Sequence, residues 1–286
     1  MDEKDWVILK TLSEERTISK TAQHLYISQP ALTYRIKQIE NEFGVKIVSR
    51  NKKGVLLTTE GEYIVNYARN MLVNLREIKD NVLNLEGVQG TLRLGVSSIF
   101  AYYKLPSLLK VFTEQFPEIQ INVTTGWSFD IMHLLQKEEI QIGIVRGNHN
   151  WNDKKHQISE ESIFLVSSSE IDLKQLPNLP RIDYITSIPL KENIDNWWRN
   201  NYNQSPNIKM VVDRVETCKE MIKHGLGYGL LPEICLKPSD ELFTKKISFN
   251  NSLLHRETWL FYRDSLLNLT MAEAFINFLC TATINK

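Results

Sequence analysis

Two sets of residues have types and spacings that could carry chemistry. The first is the run Ser28-Gln29-Pro30-Ala31-Leu32-Thr33-Tyr34-Arg35-Ile36-Lys37. Serine caps helices well and proline is tolerated in a first turn, so a helix is expected to open at Ser28. Leu32, Ile36 and Ile39 then share an inner face at helical spacing, leaving Gln29, Thr33, Tyr34 and Lys37 outward or near the start. Amide, hydroxyl and cationic groups on an exposed helix can read base edges or bind phosphates in a DNA major groove. The second set is dispersed: Ser97, Ser98, Ser128, Arg146, Thr217 and Arg256 stand where apolar runs end or helices begin. Hydroxyls and helix N-termini bind anions, and arginine grips carboxylates with paired donors. A cap, or a surface ion pair, is the plainer reading of Ser128 or Arg256 taken alone.

The elements around the first set fit a DNA-reading unit. Trp6, Leu9 and Leu12 give one helix a buried face, and Ile18 to Leu25 read as a second short helix. Ala22 is the small residue that lets two helices cross closely, and Tyr26-Ile27 is the turn before Ser28. A hairpin with its tip at Asn51-Lys52-Lys53-Gly54 follows as a wing. Between Ser28 and Lys53, the basic residues Arg35, Lys37, Lys46, Arg50, Lys52 and Lys53 face only Glu40 and Glu42. Such a local excess suits phosphate contacts, which position a protein on DNA without specifying sequence. The DNA-facing set is thus Ser28, Gln29, Pro30, Thr33, Tyr34, Arg35, Lys37, Arg50, Lys52 and Lys53. A solvated polar helix face is the alternative; cap, proline, crossing alanine and basic hairpin together weigh against it.

Residues 59–87 read as one long helix. Ile64, Ala68, Met71, Leu75, Ile78, Val82 and Leu85 alternate spacings of four and three, the pattern of a helix packed on another helix. A seam between two copies is the preferred reading, and packing on the chain's own core the alternative.

The remainder alternates apolar runs with amphipathic stretches, which implies a largely parallel sheet with helices. Leu92–Val96, Ile119–Thr124 and Ile140–Val145 form one set of strands; Ile163–Ser167, Ile182–Thr186 and Ile208–Val212 begin a second. Two lobes would enclose a cleft where strand ends and helix N-termini converge. The expected domains are 1–58, 59–88 and 89–286, the last split into lobe I (91–161 and 268–286) and lobe II (162–267).

Global composition is consistent with this and narrows the classes. The 286 residues balance 34 basic against 34 acidic groups, so a nucleic-acid surface must be local rather than global. Cys218, Cys235 and Cys280 show no metal-ligand or disulfide spacing, which fits a reducing compartment. No secretory leader or membrane span is legible, so a cytoplasmic location is expected, with no membrane partner. Gly225-Leu226-Gly227-Tyr228-Gly229 lacks the third glycine of a dinucleotide loop, and Cys218 reads as a helix-buried thiol. Catalysis and cofactors are not expected. A solute-binding transport protein would match the C-terminal zones but not the N-terminal helices.

The stretch TAQHLYISQPALTYRIKQIENEFGVKIVSRNKKGVLLTTEG resembles the LysR-type transcriptional regulators, through SQPAL, IE-x-EFGVKI-x-x-R and LT-x-x-G together. The likeness extends along essentially the whole chain. It implies an N-terminal winged helix-turn-helix, a long linker helix and a C-terminal α/β two-lobed domain like periplasmic binding proteins. It also implies double-stranded DNA as partner, and homodimers that often pair into tetramers. Tyr34 departs from the family, where arginine is frequent. TGWSFDIMHLL, IGIVRGN and VETCKEMIKHGLGYGLLPE further resemble the citrate-responsive catabolite control regulators of Gram-positive bacteria, which control central carbon metabolism. That likeness implies a di- or tricarboxylate such as citrate, held by Ser98, Ser128, Arg146 and Arg256. A regulator of amino-acid or sulfur metabolism is the alternative within the family.

Overall fold

The computed structural model describes residues 1–51, 54–84, 88–249 and 252–284. They fall into two compact units, Met1–Glu86 and Gly87–Lys286. Lys52, Lys53 and Leu85, expected above to contact DNA or a second copy, lie outside the described residues.

The N-terminal unit opens with α1 (Glu3–Glu15), whose first turn is closed by reciprocal bonds: the Asp2 carboxylate accepts the Asp5 N–H, and the Asp5 carboxylate accepts the Asp2 N–H. Thr17 caps α2 (Ile18–His24), and Ser28 caps α3 (Gln29–Phe43) by accepting the Ala31 N–H at 3.3 Å. Gly44, at φ +68°, ends α3 in the left-handed conformation that closes many helices. The hairpin β1 (Val48–Asn51) and β2 (Gly54–Leu57) is the wing, and α4 (Thr59–Asn84) follows. Ile8, Leu12, Ala22, Leu32 and Ile36 close one core, with Ala22 at the helix crossing. Glu40 is buried under the wing, where it accepts from the Lys46 ammonium at 3.0 Å and the Ile47 N–H at 2.9 Å. Burial alone would raise this carboxyl; the donors outweigh it and hold it below its usual range.

Leu57-Thr58-Thr59-Glu60-Gly61 has a stereochemical reason for its pattern. Thr58 Oγ1 accepts the Gly61 N–H at 2.9 Å and so caps α4, while the Thr58 N–H donates to the Ile47 carbonyl at 3.0 Å. The start of α4 is thereby pressed onto the strand entering the wing, and a Cβ at Gly61 would overlap the Ile47 carbonyl oxygen. Gly61→Ala is expected to destabilise this unit by about 2–3 kcal/mol through backbone displacement, seen as a lowered midpoint in chemical denaturation. An unchanged midpoint would show that the junction has slack.

In the C-terminal unit, β3 (Gly90–Ser97) leads into α5 (Ser98–Tyr103) and α6 (Leu105–Gln115), then β4 (Ile119–Gly126), α7 (Ser128–Gln136) and β5 (Ile142–Arg146). β3 lies parallel between β4 and β5. β6 (Lys154–Ser167) follows, then β7 (Arg181–Tyr184), α8 (Ile188–Asn201), β8 (Ile208–Val212), α9 (Val215–Lys223), β9 (Gly229–Pro232) and β10 (Phe243–Lys246). The chain ends with the short pair β11 (Ser248–Phe249) and β12 (Ser252–Leu253), then β13 (His255–Tyr262) and α10 (Thr270–Ile284).

β6 joins the lobes. Its first part pairs antiparallel with β13, which also pairs with β5; its second part pairs with β9 and β10. This corrects the expected border: residues 255–262 belong to the sheet of lobe I, because β13 completes it beside β5. Leu94, Ile142, Ile144, Phe112 and Phe275 fill the core of that lobe. Ile163, Leu165, Leu230 and the adjacent Trp197 and Trp198 fill lobe II, with the Trp198 indole N–H donating to the Gln204 carbonyl at 2.7 Å. Cys218 is buried there too; burial pushes its thiol up to about 12, so it is protonated and unreactive at neutral pH.

Candidate functional site

The outer surface of α3 is the first site. Its inner face is fixed by Leu32, Ile36 and Ile39, all buried. Gln29, Pro30, Tyr34 and Lys37 are exposed, as is Ser28, and Thr33 is half-buried. The Tyr34 hydroxyl accepts from the Gln38 amide at 3.0 Å, so the phenol is braced along the helix rather than free to swing. Arg50 lies on the wing strand β1, opposite Val55. Arg35 departs from expectation. Its guanidinium donates to the buried Asp5 carboxylate at 2.5 and 3.1 Å and to Asp2 at 2.8 Å. Its donors thus point back to α1, where they fix the angle at which α3 is presented. Tyr26, read above as part of the turn before α3, is 96% exposed there, at φ +54°. A bulky side chain in that strained conformation, pushed fully into solvent, is a feature that composition does not reveal.

The α4 stripe divides along its length. Ile64 and Ala68 lie inside the unit's own core with Leu9, Ile39 and Ile47. They are therefore corrected from seam to core, because α1 packs against this end of α4. Met71 and Leu75 are half-buried, whereas Ile78 and Val82 are 59% and 60% exposed.

The second site is a cleft of about 400 Å³ between the lobes of the C-terminal unit. Lobe I contributes Ser97 at the end of β3, Ser98 at the start of α5, Ser128 at the start of α7 and Arg146 at the end of β5. Lobe II contributes Tyr184 at the end of β7, Ser187 before α8 and residues 213–216 at the start of α9, and Arg256 comes from β13. Parallel strands ending together, with α7, α8 and α9 beginning at the same edge, bring helix N-termini to one place. None of these three helices has its first N–H groups capped by the side chain at its N-cap position.

Several polar atoms at this cleft are buried without a partner among the described residues. They are Arg146 Nε and Nη1, Arg256 Nε, Ser97 Oγ and the Tyr184 hydroxyl. Each such group costs free energy unless something arrives to pair with it, and hydroxyls and guanidiniums can all donate. Arg146 is only 2% exposed; burial, and then the neighbouring Arg256 charge, pull its guanidinium down to about 10, which still leaves it charged at neutral pH. Burial also lowers Arg256, whose Nη1 donates to Ser187 Oγ at 2.7 Å. Ser128 Oγ accepts the Arg146 backbone N–H at 3.1 Å, and Ser98 Oγ donates to the Gly126 carbonyl at 3.2 Å. Buried cations with open donors, beside hydroxyls, have the chemistry to pair with an anion.

Residues 4–62 match the bacterial regulatory helix-turn-helix protein model of the lysR family, and residues 85–283 match the LysR substrate binding domain. The chain belongs to the LysR family of transcriptional regulators. It is 48% identical to the HTH-type transcriptional regulator YraN of Bacillus subtilis, over 98% of this chain and 97% of that one. It is 33% identical to YkuM of the same organism, over 94% and 93%. Its fold matches full-length CbnR complexed with target DNA (TM-score 0.69, 17% identity, 99% and 100% covered). It also matches a full-length OxyR variant from Pseudomonas aeruginosa (TM-score 0.64, 18% identity, 99% and 97% covered).

A LysR chain therefore has a DNA-binding domain and a domain for a small effector, and its relatives are regulators rather than enzymes. Of the expected ligand residues, Ser97, Ser98, Ser128, Arg146 and Arg256 come together at the cleft. Thr217 does not; it is exposed. The helix α9 starts at Val215, two residues before Thr217, and its first turn gives Val215 and Glu216 to the cleft instead. Tyr184, the last residue of β7, and Ser187, in the loop before α8, were missed because nothing in the local sequence marks the direction of either side chain. Among the described residues no helix is long and apolar enough to cross a membrane.

Proposed function

We propose that this LysR regulator binds promoter DNA as a dimer through α3 and the wing, and that a carboxylate metabolite in the interlobe cleft controls that binding. The observation that carries the effector reading is the set of unpartnered donors around Arg146 and Arg256. The exposed Gln29, Tyr34 and Lys37 support the DNA reading. The effector shifts the population between lobe arrangements by its differential affinity for them, and the oligomer presents its recognition helices accordingly. Citrate, as a compact polycarboxylate, is the first ligand to test, with genes of central carbon metabolism as targets; a dimer pairing into a tetramer, in the cytoplasm, completes the reading.

The DNA arm is tested by binding across a salt series. For a phosphate contact, Lys37→Ala is expected to lower the slope of log affinity against log salt by about 0.9, and to weaken all sequences alike. A slope unchanged from the parent would remove Lys37 from the interface. The effector arm is tested by footprinting with and without citrate and smaller carboxylates.

A further inference from the structure

Arg146 is not a bare cation. Its Nη2 donates to Oε1 of Glu161, and Oε2 of Glu161 accepts the Ile234 N–H at 2.7 Å. Arg146 ends β5 in lobe I, Glu161 sits on the strand that joins the lobes, and Ile234 lies in the turn after β9 in lobe II. Glu161 is also directly opposite Arg256 in the β6–β13 register. Opposed residues on antiparallel strands share a face, so this carboxylate stands beside both cleft arginines. It lines no part of the cleft and its side chain is 13% exposed; it holds Arg146 from behind.

The charges facing the cleft can be followed outward from this point. At the floor, the two guanidiniums of Arg146 and Arg256 are opposed by Glu161. At the mouth, Arg214 lies 3.9 Å from Asp213 and over the Trp127 ring, and Glu216 adds a carboxylate with no ion-pair partner among the described residues. His149 is kept neutral at pH 7, because burial lowers it further than its bond to the Arg146 carbonyl raises it. The floor is left with one excess positive charge, and the mouth with an excess negative one. A multiply charged anion would place its second and third charges toward Asp213 and Glu216.

Building on the cleft as the effector site, we infer that Glu161 is a positioning residue that sets the charge the cleft accepts. It fixes the Arg146 guanidinium with Nε and Nη1 open, and it cancels one of the two floor charges. The effector is therefore gripped through one carboxylate, and further carboxylates on the same molecule add little.

The test is calorimetric titration of the full-length protein with butyrate, glutarate and tricarballylate, which carry one, two and three carboxylates on a three-carbon skeleton. In the wild type, affinity is expected to vary by less than about tenfold across the series. Glu161→Gln keeps the shape, but its single amide oxygen can accept from Arg146 or from the Ile234 N–H and not from both as the carboxylate does; it leaves both floor cations uncompensated. Its tricarballylate-to-butyrate affinity ratio is expected to rise about tenfold or more over that of the wild type. A merely structural role would weaken all three ligands together and leave the ratio unmoved; that result, with binding retained, overturns the inference and spares the effector reading. A wild-type affinity climbing more than about hundredfold from butyrate to tricarballylate overturns it as well, and decides the matter even where Glu161→Gln fails to fold. Absence of binding by all three ligands to both proteins overturns the effector reading itself, and this inference with it.

Discussion

Replacing Arg146 with alanine is expected to weaken carboxylate binding by roughly thirtyfold or more, and to lower the stability of the effector domain. The side chain is 2% exposed and paired with Glu161, so truncation leaves that carboxylate with the Ile234 N–H as its remaining hydrogen bond. Removing one partner of a buried pair costs about 3–5 kcal/mol, and the partial exposure of Glu161 places this case near the lower end. For a ligand carboxylate held by the same guanidinium, loss of a desolvated charge pair costs about 2–5 kcal/mol, which is an affinity loss of roughly thirty- to several-thousand-fold. Arg146→Lys distinguishes the two effects. It keeps the positive charge beside Glu161, and with it much of the stability, but loses the planar fork and therefore ligand affinity. Burial lowers the guanidinium, but it stays charged and binds anions in that form, so binding in the wild type is expected to be flat through neutral pH. Thermal unfolding with and without glutarate, and calorimetry on both variants, measure these effects. Undiminished carboxylate binding by Arg146→Ala would place the effector elsewhere.

What was legible in the sequence depended on whether local chemistry or long-range pairing decides a feature. Ser28, Pro30 and the spacing of Leu32, Ile36 and Ile39 are local signals, and α3 forms where they say. Arg146 ends a wholly buried strand, so its position at the carboxyl end of a sheet strand could be read from the apolar run before it. The first part of β6 could not be read. Lys154 to Glu161 is mostly polar and exposed, and is strand only because β13 returns to pair with it from about a hundred residues later. The partner of Arg146 was hidden for the same reason, since Glu161 belongs to that strand. Arg35 shows the converse limit. Its type and place on the recognition helix suggested DNA, but Asp5, a residue of the α1 capping box, is buried beneath it and takes its donors. Heptad spacing likewise cannot say which neighbour a helix packs on: the same repeat runs through Ile64, covered by the domain's own core, and Ile78, left exposed by the described residues.

That division of α4 makes the dimer reading testable without disturbing the fold. Ile64→Glu would bury a carboxylate among Leu9, Ile39 and Ile47 and unfold the domain, so a loss of DNA binding there would be uninformative. Ile78 is 59% exposed and Val82 60% exposed, one turn apart near the end of the described helix. Ile78→Glu is therefore expected to leave the unit's own melting behaviour nearly unchanged. If the stripe meets a second copy, burying each such side chain contributes about 1.5–3 kcal/mol, and symmetry applies every substitution twice. The dimer dissociation constant is then expected to rise by about hundredfold or more, and the variant to sediment as a monomer at micromolar concentration. DNA affinity follows, because two linked recognition helices gain from the effective concentration that the first contact imposes on the second. The double variant Ile78→Glu, Val82→Glu should protect one half-site weakly where the parent protects two. A variant that remains dimeric and binds DNA as the parent does would mean that α4 is not the interface. The recognition helices would then have to be paired by the effector domains alone, and the spacing of half-sites would be set by lobe movements rather than by a fixed helical strut.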